Sequence, residues 1–215
     1  MTAAQGPGAG SEPEGYAIPA KAVEAEKTIR NSRFVARAEP VGDRNEALEC
    51  VASARARHPE ARHHCWAFLV GDPGSASAAA TDDDGEPGGT AGRPILRVVE
   101  HKGIGDVLVV VSRYFGGIKL GAGGLTRAYA QATEAVLAAL PLAQRTIMLR
   151  CLVSGPFAAE HGLRRWADVR DVRVDAVRYS NGVNLWLSLP RDAYADLAEL
   201  CAARSLTLQN EPEQP

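Results

Sequence analysis

The stretch VLVVVSRYFGGIKLGAGGLTRAY, residues 107–129, decides the fold. Its opening, residues 107–112, is apolar on both alternating faces, which predicts a strand central in its sheet and covered on both sides. Its end opens a helix predicted to run to about Leu140, with Leu125, Tyr129, Ala132, Val136 and Leu140 on one stripe and Pro141 marking the stop. Between strand and helix stand Gly116, Gly117, Gly121, Gly123 and Gly124, five glycines in nine residues. Such a bend lets backbone amides turn toward a ligand at a helix N-terminus, where orphan N–H groups and the positive dipole end favour an anion. No Gly-Lys-Ser/Thr and no Rossmann spacing accompany the glycines, so no nucleotide is specified by motif.

The charges around this bend point the same way. Arg127 falls in the first helical turn, where a cation is disfavoured by about 0.3–1 kcal/mol unless something negative lies near. Arg113 and Lys119 belong to the same segment, and residues 93–133 hold six Arg or Lys against Glu100 and Asp106. The competing reading is internal: the glycines permit close packing, and the cations pair with the acidic loop of Asp82, Asp83, Asp84 and Glu86. Both readings can hold at once. The acidic loop has two readings of its own. Its carboxylates could hold a hard cation or, at Asp84 and Glu86, do acid/base work. The reading we favour has them accept backbone amides and cap a helix opening at Thr90.

Working upstream, residues 32–38 read as a strand, and Asp43 with Glu46 three residues on is a capping-box start for a helix buried through Leu48, Val51 and Ala52. His63-His64-Cys65 could suggest a metal, but the run continues into Trp66, Phe68 and Val70. Alternation places His64, Trp66, Phe68 and Val70 on one strand face and His63, Cys65, Ala67 and Leu69 on the other. Neighbouring ligands then point apart, and packing is the expected role. A loop at residues 71–74 follows. The helix after Thr90 carries Ile95, Leu96, Val98 and Val99, with Pro94 in its first turn. The four cysteines, Cys50, Cys65, Cys151 and Cys201, are too far apart for a Cys-x-x-Cys pair and read as small buried apolar residues of a reducing compartment. Cys65 lies in apolar sequence that disfavours a thiolate.

Downstream, the pattern restarts near Thr146: strand 147–154, helix 156–167, strand 172–179, an Asn181-Gly182 hairpin turn, a returning strand through Val183, Leu185, Leu187 and Leu189, helix 192–203, and strand 206–209. This β-α-β-β-α-β order is ferredoxin-like. Trp166 and Trp186 are expected in the core, and the nine cations and nine acids of residues 142–215 on a mixed, solvated surface. The expected organisation is α+β: a tail over residues 1–15, an N-terminal α/β domain over 16–141, a ferredoxin-like domain over 146–209, and a second tail over 210–215. Both tails are polar and Pro-rich, and too poor in apolar residues to order themselves by burial.

A chain of 215 residues, 46% apolar, is long enough for packed cores and excludes wholesale disorder. A formal charge of −2 excludes bulk electrostatic coating of nucleic acid, so any basic site is local. No apolar run approaches the roughly 18–20 residues that span a bilayer. The first residues carry no secretory pattern, and a cytoplasmic protein without membrane contact is expected.

Residues 83–94 (DDGEPGGTAGRP) and 110–129 (VVSRYFGGIKLGAGGLTRAY), with residues 61–65 (ARHHC), resemble the signature segments of the IMPACT/YigZ family. The resemblance implies family-motif positions at His63, His64, Asp83, Asp84, Gly85, Glu86, Pro87 and Thr90. It further implies an N-terminal domain similar to the second domain of the small-subunit ribosomal protein of the S5 type, and a C-terminal domain similar to the fifth domain of elongation factor G. Both likenesses point toward RNA or the ribosome. Eukaryotic members restrain the amino-acid-starvation kinase by occupying its coactivator, through an extra N-terminal domain not seen in this sequence; that activity is not carried over. The expected function is a non-enzymatic, translation-associated regulator that uses Arg113, Gly116, Gly117, Lys119, Gly121, Gly123, Gly124 and Arg127 to engage RNA phosphates, a ribosome-linked partner or a translation-regulatory protein. No cofactor, metal or catalytic residue is expected. The alternative is a phosphotransfer or other phosphate-substrate enzyme using the Gly-rich loop, with Asp84 or Glu86 as metal ligand or base.

Overall fold

The computed structural model describes residues 15–170 and 172–210. The tails expected over residues 1–15 and 210–215 lie outside the described residues, apart from Gly15, which opens a strand, and Asn210, which ends one. The chain divides into two compact units that meet in sequence between Arg145 and Thr146. Each is an α/β structure, the α+β class that the sequence pattern gives.

In the first unit, β1 (Gly15–Pro19), β2 (Val23–Ile29) and β3 (Ser32–Pro40) precede α1 (Arg44–Arg57). Then come β4 (His63–Val70), β5 (Ala78–Asp82), α2 (Gly92–Lys102), β6 (Val107–Tyr114), α3 (Ala122–Ala138) and β7 (Leu142–Thr146). Five strands form an antiparallel sheet of order β2-β3-β6-β4-β5, and β1 pairs with β7 in a separate ribbon. β6 is central because it is apolar on both pleats, and both faces are covered. Val107, Val109 and Val111 pack with Cys65, Ala67 and Leu69 of β4 against Ile95 and Val99 of α2 and Leu125, Tyr129 and Val136 of α3. On the other side Leu108 and Val110 join Trp66, Phe68 and Val70 against Val41 and the Ala47, Val51 and Ala54 stripe of α1. That stripe is shifted from expectation. Val51 is buried, but Leu48 is 39% exposed and Ala52 is also exposed, because the helix presents positions 47, 51 and 54 to the sheet. The α1 start is as read: the Glu46 amide donates to Asp43 Oδ1 at 2.9 Å, while the Glu46 carboxylate accepts the Gly42 amide at 2.6 Å.

The second unit carries β8 (Met148–Gly155), α4 (Ala159–Val169), β9 (Arg173–Tyr179), β10 (Val183–Pro190), α5 (Ala193–Ala203) and β11 (Thr207–Asn210). Its antiparallel sheet has the order β11-β8-β10-β9, the ferredoxin-like arrangement. Leu185, Leu187 and Leu189 of β10 with Val153 of β8 pack under Leu163 of α4 and Leu197 of α5. Trp186 departs from expectation. It alternates with Leu185 and Leu187, so it stands on the face turned away from the helices.

Candidate functional site

Where β6 leaves the core, its pleat continues but its chemistry changes. Arg113 follows Val107, Val109 and Val111 onto the α3 side and is buried, its side chain 7% exposed. Its Nη1 donates to Glu86 Oε1 at 2.5 Å, and the Tyr129 hydroxyl donates to the same oxygen at 2.9 Å. Cys65 Sγ lies 3.2 Å from the Tyr129 hydroxyl and 3.0 Å from the Asp83 carbonyl. Burial pushes the Cys65 thiol and the Tyr129 phenol up, so both stay protonated as donors. Arg113 Nε is buried without a partner among the described residues. This cluster ties β4, β6, α3 and the 82–90 loop into one block.

The loop's carboxylates serve the backbone. Asp83 Oδ1 accepts the Ala91 and Gly92 amides at 2.9 and 2.8 Å, and Oδ2 accepts Gly89 at 2.6 Å. Burial alone would raise its pKa, but these amides outweigh it and hold the carboxyl below the usual range. Asp83, rather than Thr90, therefore caps α2. The Thr90 hydroxyl instead donates to the Pro87 carbonyl at 2.6 Å, closing the turn Pro87–Thr90 together with the Thr90 amide, which donates to the same carbonyl. Asp84 accepts Arg55 Nη2 at 2.7 Å and the His64 amide at 2.6 Å. Burial again opposes ionisation, and Arg55 with the His64 amide reverses it, so the Asp84 carboxyl lies low. His63 Nδ1 is 2.7 Å from the Asp84 carbonyl, which only accepts, so Nδ1 carries the proton. His64 is buried with Nδ1 at 2.9 Å from Ser112 Oγ, and burial, then Arg55, pulls its pKa down. Among the described residues no three His, Cys, Asp or Glu side chains converge as a metal set.

The glycine-rich bend divides the expected site residues into two groups. Gly116 is where the chain crosses the β2–β3 turn: a Cβ there would collide with the Asn31 backbone, and its amide donates to Ser32 Oγ at 3.2 Å. Gly121 precedes α3 with φ +70° and offers no side chain as a cap. The amides that open α3 at Ala122, Gly123 and Gly124 thus have no side-chain acceptor among the described residues. Arg127 folds back over this turn, Nη1 lying 3.6 Å from where a Gly123 Cβ would stand. Lys119 and Arg127 are exposed and form no ion pair among the described residues. Gly117, also at positive φ, shares the exposed loop with Phe115 and Ile118, each 45% exposed.

The internal-pairing reading holds for Arg113 of the basic segment. Arg113 is paired inside with Glu86, while Lys119 and Arg127 are exposed and form no ion pair among the described residues. Sequence reasoning did not find Arg55 or Tyr129 as partners of the motif loop, nor Ser32 as a partner of Arg113 and Gly116. Tyr129 was legible only as a core position of its helix, and nothing local in sequence links Arg55 to a loop 29 residues on.

Residues 30–137 match the family model described as the Impact N-terminal domain. The chain is 34% identical over 185 residues to a protein of Escherichia coli named IMPACT family member YigZ, covering 86% of this chain and 91% of that one. It is 38% identical over 165 residues to a Thermus thermophilus protein named as an IMPACT family member, covering 75% and 86%. A crystal structure titled only as that of a hypothetical protein is similar at a TM-score of 0.68 and 33% identity, over 94% of this chain and 99% of that one.

Proposed function

The chain belongs to the IMPACT family, and on that footing we propose that it is a non-enzymatic, translation-associated regulatory protein of the cytoplasm that binds RNA phosphate at the start of α3. The observation that carries the reading is the conjunction at that helix start. Three amides have no capping side chain, and two cations, Lys119 and Arg127, form no ion pair among the described residues. A phosphate there would accept the amides, satisfy the helix dipole and offset the cost of Arg127 in a first turn. The translation-associated part rests on family membership and on the ribosomal-protein and elongation-factor likenesses that the sequence motifs imply. The phosphotransfer alternative gains no support from the acidic loop. Its candidate base or metal ligand, Asp84 or Glu86, is engaged by Arg55 and the His64 amide, or by Arg113 and Tyr129.

The test is fluorescence anisotropy with a labelled short RNA, across a range of salt. Lys119→Glu and Arg127→Glu each weaken binding, and each flattens the slope of log K against log salt by roughly 0.7 if one phosphate contact is lost. Binding that is indifferent to both changes, or a thermal shift produced only by ATP with Mg²⁺, would overturn the reading.

A further inference from the structure

The five-stranded sheet of the first unit ends in two edges of opposite character. One edge, β2, reads VEAEKTI, and Glu24, Glu26 and Lys27 charge it along its length, the device by which natural sheets discourage pairing with another chain. The other edge, β5, reads AAATD, with no charge, proline or bulky side chain before the Asp82 that ends it. Its inner side pairs with β4, from Ala78 beside Val70 to Asp82 beside Trp66. Its outer row of N–H and C=O groups has no partner among the described residues.

This open edge is held rigid from both faces. Ala78 and Ala80 pack on the cluster that α1 covers. On the face that Thr81 occupies, α2 comes so close that a Cβ on Gly92 would meet Thr81 Cβ at 2.9 Å and the Asp82 main chain at 3.0 Å. An incoming strand therefore meets a row already fixed in extended form, and little order is lost on pairing. Ala79 is exposed, and the methyl-sized side chains leave the row open to close approach.

We propose that β5 is the joint of a homodimer, in which two copies of this chain pair β5 to β5, antiparallel, about a two-fold axis at Ala80. Self-complementarity selects the occupant. Centred on its middle residue, the strand sets Ala80 against Ala80 of the second copy, Ala79 against Thr81 and Ala78 against Asp82. No like charges meet, and the two Asp82 carboxylates stand at opposite ends of the joint. The same operation on β2 sets Glu26 against Glu26, a like-charge pair that destabilises a ladder. Chain chemistry thus bars one edge from self-pairing and permits it at the other, where two five-stranded sheets would become one continuous sheet. The proposal goes beyond the α3 reading and shares no residue with it.

The experiment is sedimentation velocity on the full chain, treated with nuclease so that RNA does not bridge copies. A joint of one short strand falls at the small end of interface sizes, so a reversible monomer–dimer equilibrium is expected within about 1–300 µM. Ala79→Lys places a cation on the exposed edge twice per dimer and is expected to weaken association about ten-fold, with circular dichroism reporting that the variant is folded. The register is tested by mixing Ala79→Cys with Thr81→Cys under mild oxidant. The mixture is expected to form a covalent dimer faster than either variant alone, above the background of the parent's own free cysteines, because directly opposed residues lie within disulfide reach. Glu26→Cys, on the charged edge, is expected to stay at that background. The chain carrying both Lys119→Glu and Arg127→Glu is expected to dimerise as the parent does. A parent that remains monomeric across the range overturns the proposal and leaves the edge to a strand of another protein. A dimer indifferent to Ala79→Lys, cross-linked through Glu26→Cys, or lost with Lys119→Glu and Arg127→Glu overturns it as well. If Ala79→Lys does not fold, the two cysteine variants decide.

Discussion

Arg113 and Glu86 form an ion pair with side chains 7% and 4% exposed, at the point where two signature segments of the chain meet. A buried pair of this kind is weak as a source of net stability but costly to break, because the surviving charge is left without a partner. Glu86→Ala or Arg113→Ala is therefore expected to cost about 3–5 kcal/mol in urea denaturation. The Glu86→Ala, Arg113→Ala double variant should cost less than the two single changes combined. Additive losses would show that the two groups do not act on one another. His64 gives a second prediction at this scale. Burial depresses its pKa, so between the folded value and the unfolded value of about 6.5 the unfolded chain holds the extra proton. Stability attributable to His64 is thus full above about pH 6.5 and is lost as pH falls toward the depressed value. His64→Gln should flatten the stability profile on the acid side of pH 6.5 in chemical denaturation, and a profile parallel to the parent's would refute the assignment.

At the scale of elements, the start of α2 depends on a carboxylate eight and nine residues upstream of the amides it accepts. Asp83→Asn keeps the size but turns one acceptor into a donor facing an amide, and is expected to destabilise by about 1–2 kcal/mol. Asp83 also titrates low, so its contribution is present above about pH 3.9 and is lost as pH falls through the folded value. Acid unfolding followed by circular dichroism should start at higher pH in the parent than the remaining carboxylates alone would give, and Asp83→Asn should remove that part of the acid limb. The cap shows what local reading reaches. The α1 start was legible because Asp43 and Glu46 are neighbours in sequence. Thr90 was a reasonable candidate for α2, yet the tight Gly-rich turn carries Asp83 to the helix start, and no spacing rule encodes that reach. Strands β2 and β5 escaped the reading for another reason. VEAEKTI is charged as an edge strand must be, and AAATD lacks the bulky residues that signal a strand. The central β4 and β6, buried on both faces, carry the apolar runs that make them visible.

Across the whole molecule, the βαββαβ order of the second unit was readable end to end, because each strand–helix change there switches the hydrophobic period and Asn181-Gly182 marks the hairpin. What the pattern left open was which arginines are already paired. Pairing is settled by long-range register, as when β6 and β4 bring Arg113 over a loop 27 residues earlier. That distinction governs how the intact chain meets RNA. Its formal charge of −2 supplies no long-range attraction, so affinity must come from a few local contacts. Lys119 and Arg127 are the cations assigned to phosphate. At roughly 0.7 per single-strand contact, the slope of log K against log salt for the parent chain should lie between about −1 and −2. A slope approaching about −10, the behaviour of a protein neutralising ten phosphates, would mean that exposed cations bind without selection. Isothermal titration of a short single strand at several salt concentrations measures this directly, and the parent should lose affinity only modestly where a strongly basic coat protein loses it by orders of magnitude.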